Sequence, residues 1–130
     1  MKYLILLFAV FTTFSCSKED RYQELDCDLI GEWTWVKTSG TIAGRTWTPE
    51  SSGYEMHIKI DESKISFFKN DTLTNIYEYE VFKTDTLYTH GNLASFIKYN
   101  KITRRYTIEN KTLEMHDLCF DCLSYSFEKN

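Results

Sequence analysis

Proline occurs once and glycine five times in 130 residues, so the chain holds neither the Pro-rich spacers nor the Gly-rich segments that resist packing. Phe, Tyr and Trp supply 16% of the residues, which is the composition of a packed globule and not of a disordered chain. Positive charge is also in short supply: 15 Lys and Arg stand against 19 Asp and Glu, a net charge of −4. The densest basic cluster is the pair Arg104 and Arg105. Neighbours on a strand point to opposite faces, so this pair makes no stripe that could displace counterions from phosphates, and nucleic acid is excluded as a partner. The longest apolar run, Tyr3 to Phe11, falls well short of the ~20 residues a membrane-spanning helix requires. A Gly-x-Ser-x-Gly elbow, a phosphate loop and a His-Glu-x-x-His helix are all missing, which leaves no recognisable catalytic constellation.

What is present at the N-terminus is an export pattern. Lys2 supplies a positive charge, Tyr3 to Phe14 an apolar core, and Ser15 the small residue before a cleavage point, as in a signal peptide over 1–15. The remainder is the size of one domain. Cys16, directly after Ser15, resembles the lipobox cysteine of bacterial lipoproteins, whose thiol receives a diacylglyceryl group and whose new amino terminus receives a further acyl chain. With Thr13 and Phe14 where that motif usually has an aliphatic and a small residue, it looks like the relaxed lipoboxes of Bacteroidota lipoproteins. The resemblance implies lipidation at Cys16 and a membrane anchor in the bacterial cell envelope, at the outer membrane. Several acyl chains exceed the two signals that stable anchoring needs. The plainer alternative is a secreted protein in which Cys16 is incidental. Ser17 to Asp26 is polar and without period, as expected of a tether. The chain therefore divides into a signal peptide 1–15, a lipidated cysteine and tether 16–27, and a folded domain 28–130.

From Leu29 onward the dominant signal is alternation with period two, the mark of half-buried strands. Tyr54, Met56, Ile58 and Ile60 alternate with polar residues, as do Leu123, Tyr125 and Phe127. Similar runs cover Gly31 to Thr38, Lys64 to Lys69, Thr72 to Phe82, Thr86 to His90, Leu93 to Tyr99, Ile102 to Glu109 and Thr112 to Asp117. Eight or nine short strands joined by tight turns predict an all-β fold: a small up-and-down antiparallel β-barrel of about eight strands, closed so that no edge is left unpaired. Parity registers two hairpins. With Glu62 and Ser63 as a loop, Ile60 faces Ile65 and Ile58 faces Phe67. With Asn110 and Lys111 as a loop, Ile108 faces Leu113, Tyr106 faces Met115, and Arg104 faces Asp117, placing a charged pair on the apolar side.

Leu29-Ile30-Gly31-Glu32-Trp33 looks like the Gly-x-Trp opening of the lipocalin fold, in which the Trp closes the base of the barrel. The stretch Thr38 to Gly44, the triplet Thr48-Pro49-Glu50 and the closing Leu113 to Phe127 segment are similar to small lipocalin-like lipoproteins of Bacteroidota. The resemblance spans 28–130 and implies a barrel open at one end. Lipocalins also stack a late-strand Arg over that Trp. Arg104 is the candidate by parity, with Arg105 or neither as alternatives, and a rim Arg satisfied by Asp117 is the plainer reading.

Three cysteines follow Cys16. In a barrel of even strand number, Cys27 lies at one rim and Cys119 and Cys122 at the other, roughly 25 Å away and far beyond the ~7 Å that a disulfide bridges. A Cys119–Cys122 bridge is favoured, with Cys27 to either as the alternative if the strand number is odd. His116-x-x-Cys119-x-x-Cys122 invites a metal reading, but structural zinc needs four ligands, and His57 and His90 fall on the polar phase of their runs. No metal and no cofactor is expected. Glu78 and Glu80 share a face and invite a glycosidase reading, yet their phase is the outer one, opposite Tyr77, Tyr79 and Val81. The inner phase carries Trp33, Trp35, Tyr77, Tyr79 and Tyr106, with Arg104 as one fixed charge. These six are the candidate binding residues for a small apolar or amphipathic ligand. The plainer alternative is that the rings fill an eight-stranded interior barely wide enough for side chains, leaving a structural or protein-interaction module.

Overall fold

The computed structural model of the protein describes residues 26–40, 43–87 and 89–130. The expected signal peptide, Cys16 and all of the tether before Asp26 lie outside the described residues. The strands are β1 (Gly31–Ser39), β2 (Thr46–Trp47), β3 (Met56–Ile60), β4 (Lys64–Lys69), β5 (Thr72–Thr84), β6 (Ala94–Tyr99), β7 (Ile102–Glu109), β8 (Thr112–Asp117) and β9 (Ser124–Lys129), with one helical turn, α1 (Pro49–Ser52), between β2 and β3. β1 and β3 to β9 pair in chain order, and β9 returns to β1, closing an eight-stranded antiparallel up-and-down barrel. β2 is an annex that pairs only with the end of β1.

The hairpins follow from turn chemistry. Asn70 and Asp71 both have positive φ, as do Asn100 and Lys101, the backbone twist that two-residue hairpins favour and that Asn tolerates. Before β4, the Asp61 carboxylate accepts from the Ser63 and Lys64 amides at 2.8 and 2.7 Å. Those amides hold its pKa below the ordinary carboxylate value. The turn sets the expected register, Ile60 opposite Ile65 and Ile58 opposite Phe67. The Asn110–Lys111 turn likewise places Arg104 opposite Asp117 and Tyr106 opposite Met115.

Two bulges break the alternation. One additional residue, Val36, sits between the pairs Trp35–Phe127 and Lys37–Ser126. Inward pointing passes from Trp35 to Thr38, whose hydroxyl accepts from the Trp35 indole at 2.9 Å. Thr74 is the extra residue between Phe67–Asn75 and Phe68–Leu73, and its hydroxyl donates to the Phe67 carbonyl at 3.0 Å. Leu73, in phase with Tyr77 by sequence, is thereby turned into water.

Among the described residues of the expected strand over Thr86 to His90, none is in a strand. Bends occupy 85–87 and 89, and a turn follows at 90–91. Here Thr side chains bond their own backbone, Thr89 to the Asp85 carbonyl and the Thr86 amide to Thr84, and such local bonds compete with ladder formation.

The two ends of the barrel differ. At one end lie the start of β1, the turns after β3 and β7, and the chain terminus; this end is plugged. Leu29 and Trp33 are 0% exposed, and the Trp33 indole donates to the Leu29 carbonyl at 2.8 Å. Lys129 donates to the Asp28 carbonyl at 3.0 Å and lies 5.0 Å from the Trp33 ring centre. Gly31 makes that crossing possible, since a Cβ there would stand 2.9 Å from Lys129 Cε, and its φ of +142° is one L side chains rarely adopt. Ile60, Ile65 and Leu113 complete a solid layer.

Candidate functional site

At the other end several inward-facing side chains are only partly covered, although Trp35 and Tyr99 are buried. Tyr54, Met56, Phe67, Tyr77 and Tyr125 pack against the core while keeping part of their surface accessible. They come from the segment after α1 and from β3, β4, β5 and β9. Period two turns each of them inward, and each strand's position near this end keeps it from being covered. Tyr99, at the end of β6, is buried beneath them.

The rings form a connected wall. Phe67 and Tyr77 meet edge to face at 6.0 Å, Phe67 and Tyr99 are 5.5 Å apart, and Tyr77 and Tyr99 stack at 6.1 Å. Trp35 stacks on Tyr54 at 5.7 Å, and Lys69 Nζ lies 4.1 Å from the centre of that Tyr54 ring. Opposite stands an ion pair: Arg104 Nε donates to Asp117 Oδ1 at 2.6 Å, with side chains 15% and 24% exposed. The guanidinium lies 4.3 Å from the Tyr125 ring centre, and its Nη1 donates to the Tyr99 hydroxyl. Burial opposes the charge on Arg104, but Tyr99 and Asp117 beside it prevail and raise its pKa. Burial also raises the phenol pKa values of Tyr99 and Tyr125. The site is therefore a set of rings around one guanidinium matched by one carboxylate, with the Lys69 ammonium over Tyr54 at its edge.

No family model, no curated protein and no solved structure matches the chain.

The structure divides the six residues expected from sequence to bind a ligand. Trp35, Tyr77 and Arg104 belong to the half-open end. Trp33, Tyr79 and Tyr106 have their polar atoms engaged towards the plugged end, although Tyr79 stands opposite Tyr99 on the neighbouring strand: Trp33 with Leu29, Tyr79 donating to the Asp61 carbonyl at 2.6 Å, and Tyr106 donating to Asp26 Oδ2 at 2.8 Å. Burial lifts the Tyr79 pKa to about 12. Arg104 does not stack on Trp33, because it is the third residue of a strand that starts at the half-open end; the cation over Trp33 is Lys129. Tyr54, Phe67 and Tyr125 fall on the inward phase by sequence, but alternation carries no information on depth; Tyr99 has no phase assigned by sequence.

Around the same rim, Cys119 and Cys122 form a disulfide with Cα atoms 5.4 Å apart, and Phe120 between them is 95% exposed. His116 is engaged on the outer face with Ser124 Oγ at 2.6 Å and Glu114 at 3.6 Å. Glu78 and Glu80 are exposed. A separate cleft of about 660 Å³ lies at the plugged end, bordered by Asp26, Lys83, His90, Arg105 and Glu109 among others. It has no wall of rings comparable to the half-open end.

Proposed function

We propose that the protein is a lipid-anchored envelope protein whose barrel takes up a small apolar or amphipathic molecule among the rings at its half-open end. Its task is binding and not catalysis. The observation that carries this reading is the gradient of burial along the barrel, from Leu29 and Trp33, fully covered, to Tyr54, Phe67, Tyr77 and Tyr125, half covered. A filled barrel with no binding role would have every reason to cover those rings, since each buried aromatic side chain contributes about 1.5–3 kcal/mol. A few polar groups beside an apolar wall are the usual composition of a small-molecule site. Lipidation at Cys16 and residence at the bacterial outer membrane follow from the export pattern and its resemblance to Bacteroidota lipoproteins.

Titration with Nile red, an uncharged apolar dye, tests this. Saturable binding is expected, weakened several-fold by Tyr77→Ala or Phe67→Ala and unchanged by Tyr106→Phe at the plugged end. Dye uptake that does not saturate, or that responds equally to changes at both ends, contradicts the reading. The second reading, a protein-interaction module, is favoured by Phe120 alone, held at the rim by the disulfide with almost all its surface in water. Site-specific cross-linking from position 120 to one defined envelope protein, in a barrel that takes up no dye, would support it instead.

A further inference from the structure

Resting on the lipid anchor proposed above, we infer that the half-open end of the barrel docks on the phospholipid leaflet that holds the anchor, through Trp47, Leu73, Ile102 and Phe120. Topology puts all four on that rim. Trp47 pairs with Thr38 near the end of β1, Leu73 is the second residue after the Asn70–Asp71 turn, Ile102 stands opposite Tyr99 across the Asn100–Lys101 turn, and Phe120 sits in the loop between β8 and β9. Their exposures are 39%, 48%, 40% and 95%. Trp47 and Leu123 both approach the Cβ position at Gly40, at 3.7 and 3.5 Å, which brings β2 against the loop that carries Phe120. The Cys119–Cys122 bridge closes that loop, so presenting the ring to a partner orders little additional chain. The remaining exposed large apolar side chains among the described residues are Ile76, on the outer wall of β5, and Leu87 and Leu93, both on the one loop between β5 and β6 at the plugged end.

The chain between anchor and barrel is long enough for this. Ten residue steps separate Cys16 from Asp26, a reach of up to about 33–36 Å. Asp26 lies at the plugged end, where it accepts from Tyr106. The nine residues of β1 make a strand of about 30 Å, and a tilt of 35–45° reduces the height of the wall to about 21–25 Å. A tether running beside the wall therefore brings the mouth to the lipid. Apolar side chains from four separate elements around an opening meet a flat, deformable surface together, and Trp and Phe suit the interfacial layer of a bilayer. Charge does not select the lipid: Lys69 and Lys101 stand on this rim with Glu55, Asp71 and Asp121. Apolar contact suffices because the anchor makes docking an intramolecular event at high effective concentration. A mouth set on lipid lets an amphipathic molecule enter without crossing water.

The test places the acylated chain in phosphatidylcholine vesicles whose acyl chains carry bromine, which quenches Trp emission at contact range. Of the three Trp residues, Trp33 and Trp35 are buried and Trp47 is exposed, and the emission lost in Trp47→Phe identifies the share of Trp47. Bromolipid is expected to remove most of that share, and acrylamide added from water should quench it several-fold less than in the unlipidated Cys16→Ser chain in solution. Phe120→Ser should cut the bromolipid quenching several-fold with Tm unchanged. Trp47 emission equally bright in brominated and plain lipid, and still open to acrylamide, overturns the docking. Shielding from acrylamide without quenching by bromine means that a protein, a second copy or another partner, covers the rim, and overturns lipid as its occupant. An intact mass without acyl groups overturns this proposal together with the anchor. Failure of ligand uptake is seen separately, since Nile red titration of the Cys16→Ser chain reads the interior of the barrel and not its rim.

Discussion

Arg104 and Asp117 stand opposite one another on β7 and β8, with Nε 2.6 Å from Oδ1 in a pair less than a quarter exposed on either side. Removing one member of a half-covered pair leaves the other without a counter-charge, which is more costly than the pair's net contribution. Asp117→Asn is therefore expected to lower stability by about 1–3 kcal/mol. The pair Lys59–Glu32, more than half exposed on both sides at 3.7 Å, is the control, and Glu32→Gln should change stability by less than about 0.5 kcal/mol. Urea unfolding of the two variants measures the contrast; equal effects would show that Arg104 is solvated by other means.

The plugged end should be the stable end. Leu29 is fully buried, and Leu29→Ala should cost about 2–5 kcal/mol through lost transfer energy and the space left behind. Leu93, 70% exposed in the loop before β6, should tolerate the same change within about 0.5 kcal/mol. Hydrogen exchange would detect the difference independently, as faster exchange of β1 amides in the Leu29 variant.

Tyr79 links stability to alkaline pH. Its folded pKa, pushed up to about 12 chiefly by burial, lies above its unfolded value of 10. The folded state holds this proton more tightly, so the stability it contributes is fully present below pH 10 and is lost as pH rises from 10 towards 12. Thermal melts across that window should show a falling Tm. In Tyr79→Phe the fall should be shallower, although the starting Tm is lower for want of the bond to the Asp61 carbonyl.

The Cys119–Cys122 bridge closes a short loop. On the chain-entropy account a loop this small contributes about 2 kcal/mol. Reductant, or the double change to Ser, should lower Tm by a few degrees and leave the barrel folded, with altered amide signals confined to 117–124. Global unfolding on reduction would mean that the rim organises the barrel.

Lipidation is open to direct labelling. Cells fed radioactive palmitate should transfer label to the wild-type chain and not to Cys16→Ser, and the variant should leave the membrane fraction. Label retained after that substitution would place the anchor elsewhere.

Period two made much of the barrel legible. It yielded the pairing of Ile60 with Ile65 and of Arg104 with Asp117, because a register error of one residue would have turned Leu113, Met115 and Phe127 outward. It could not reveal Val36 and Thr74, where one inserted residue shifts the phase without any special residue type to announce it. The bends at Thr86 and Thr89 escaped for another reason: β-branched Thr favours strands by propensity, yet here its hydroxyl finds a backbone partner nearby. At the site, the inward face was readable and the depth was not. Trp33 and Tyr77 share a phase yet stand at opposite ends, since depth depends on where each strand begins and on the barrel's stagger.

Two-dimensional amide NMR of the protein titrated with 4-phenylbutyrate tests the central claim most directly. Shifts are expected to saturate and to cluster at Tyr54, Phe67, Tyr77, Tyr99, Arg104 and Tyr125, leaving Leu29 and Trp33 unmoved. Shifts centred instead on the cleft beside Asp26, His90 and Glu109, or none at any concentration, would contradict it.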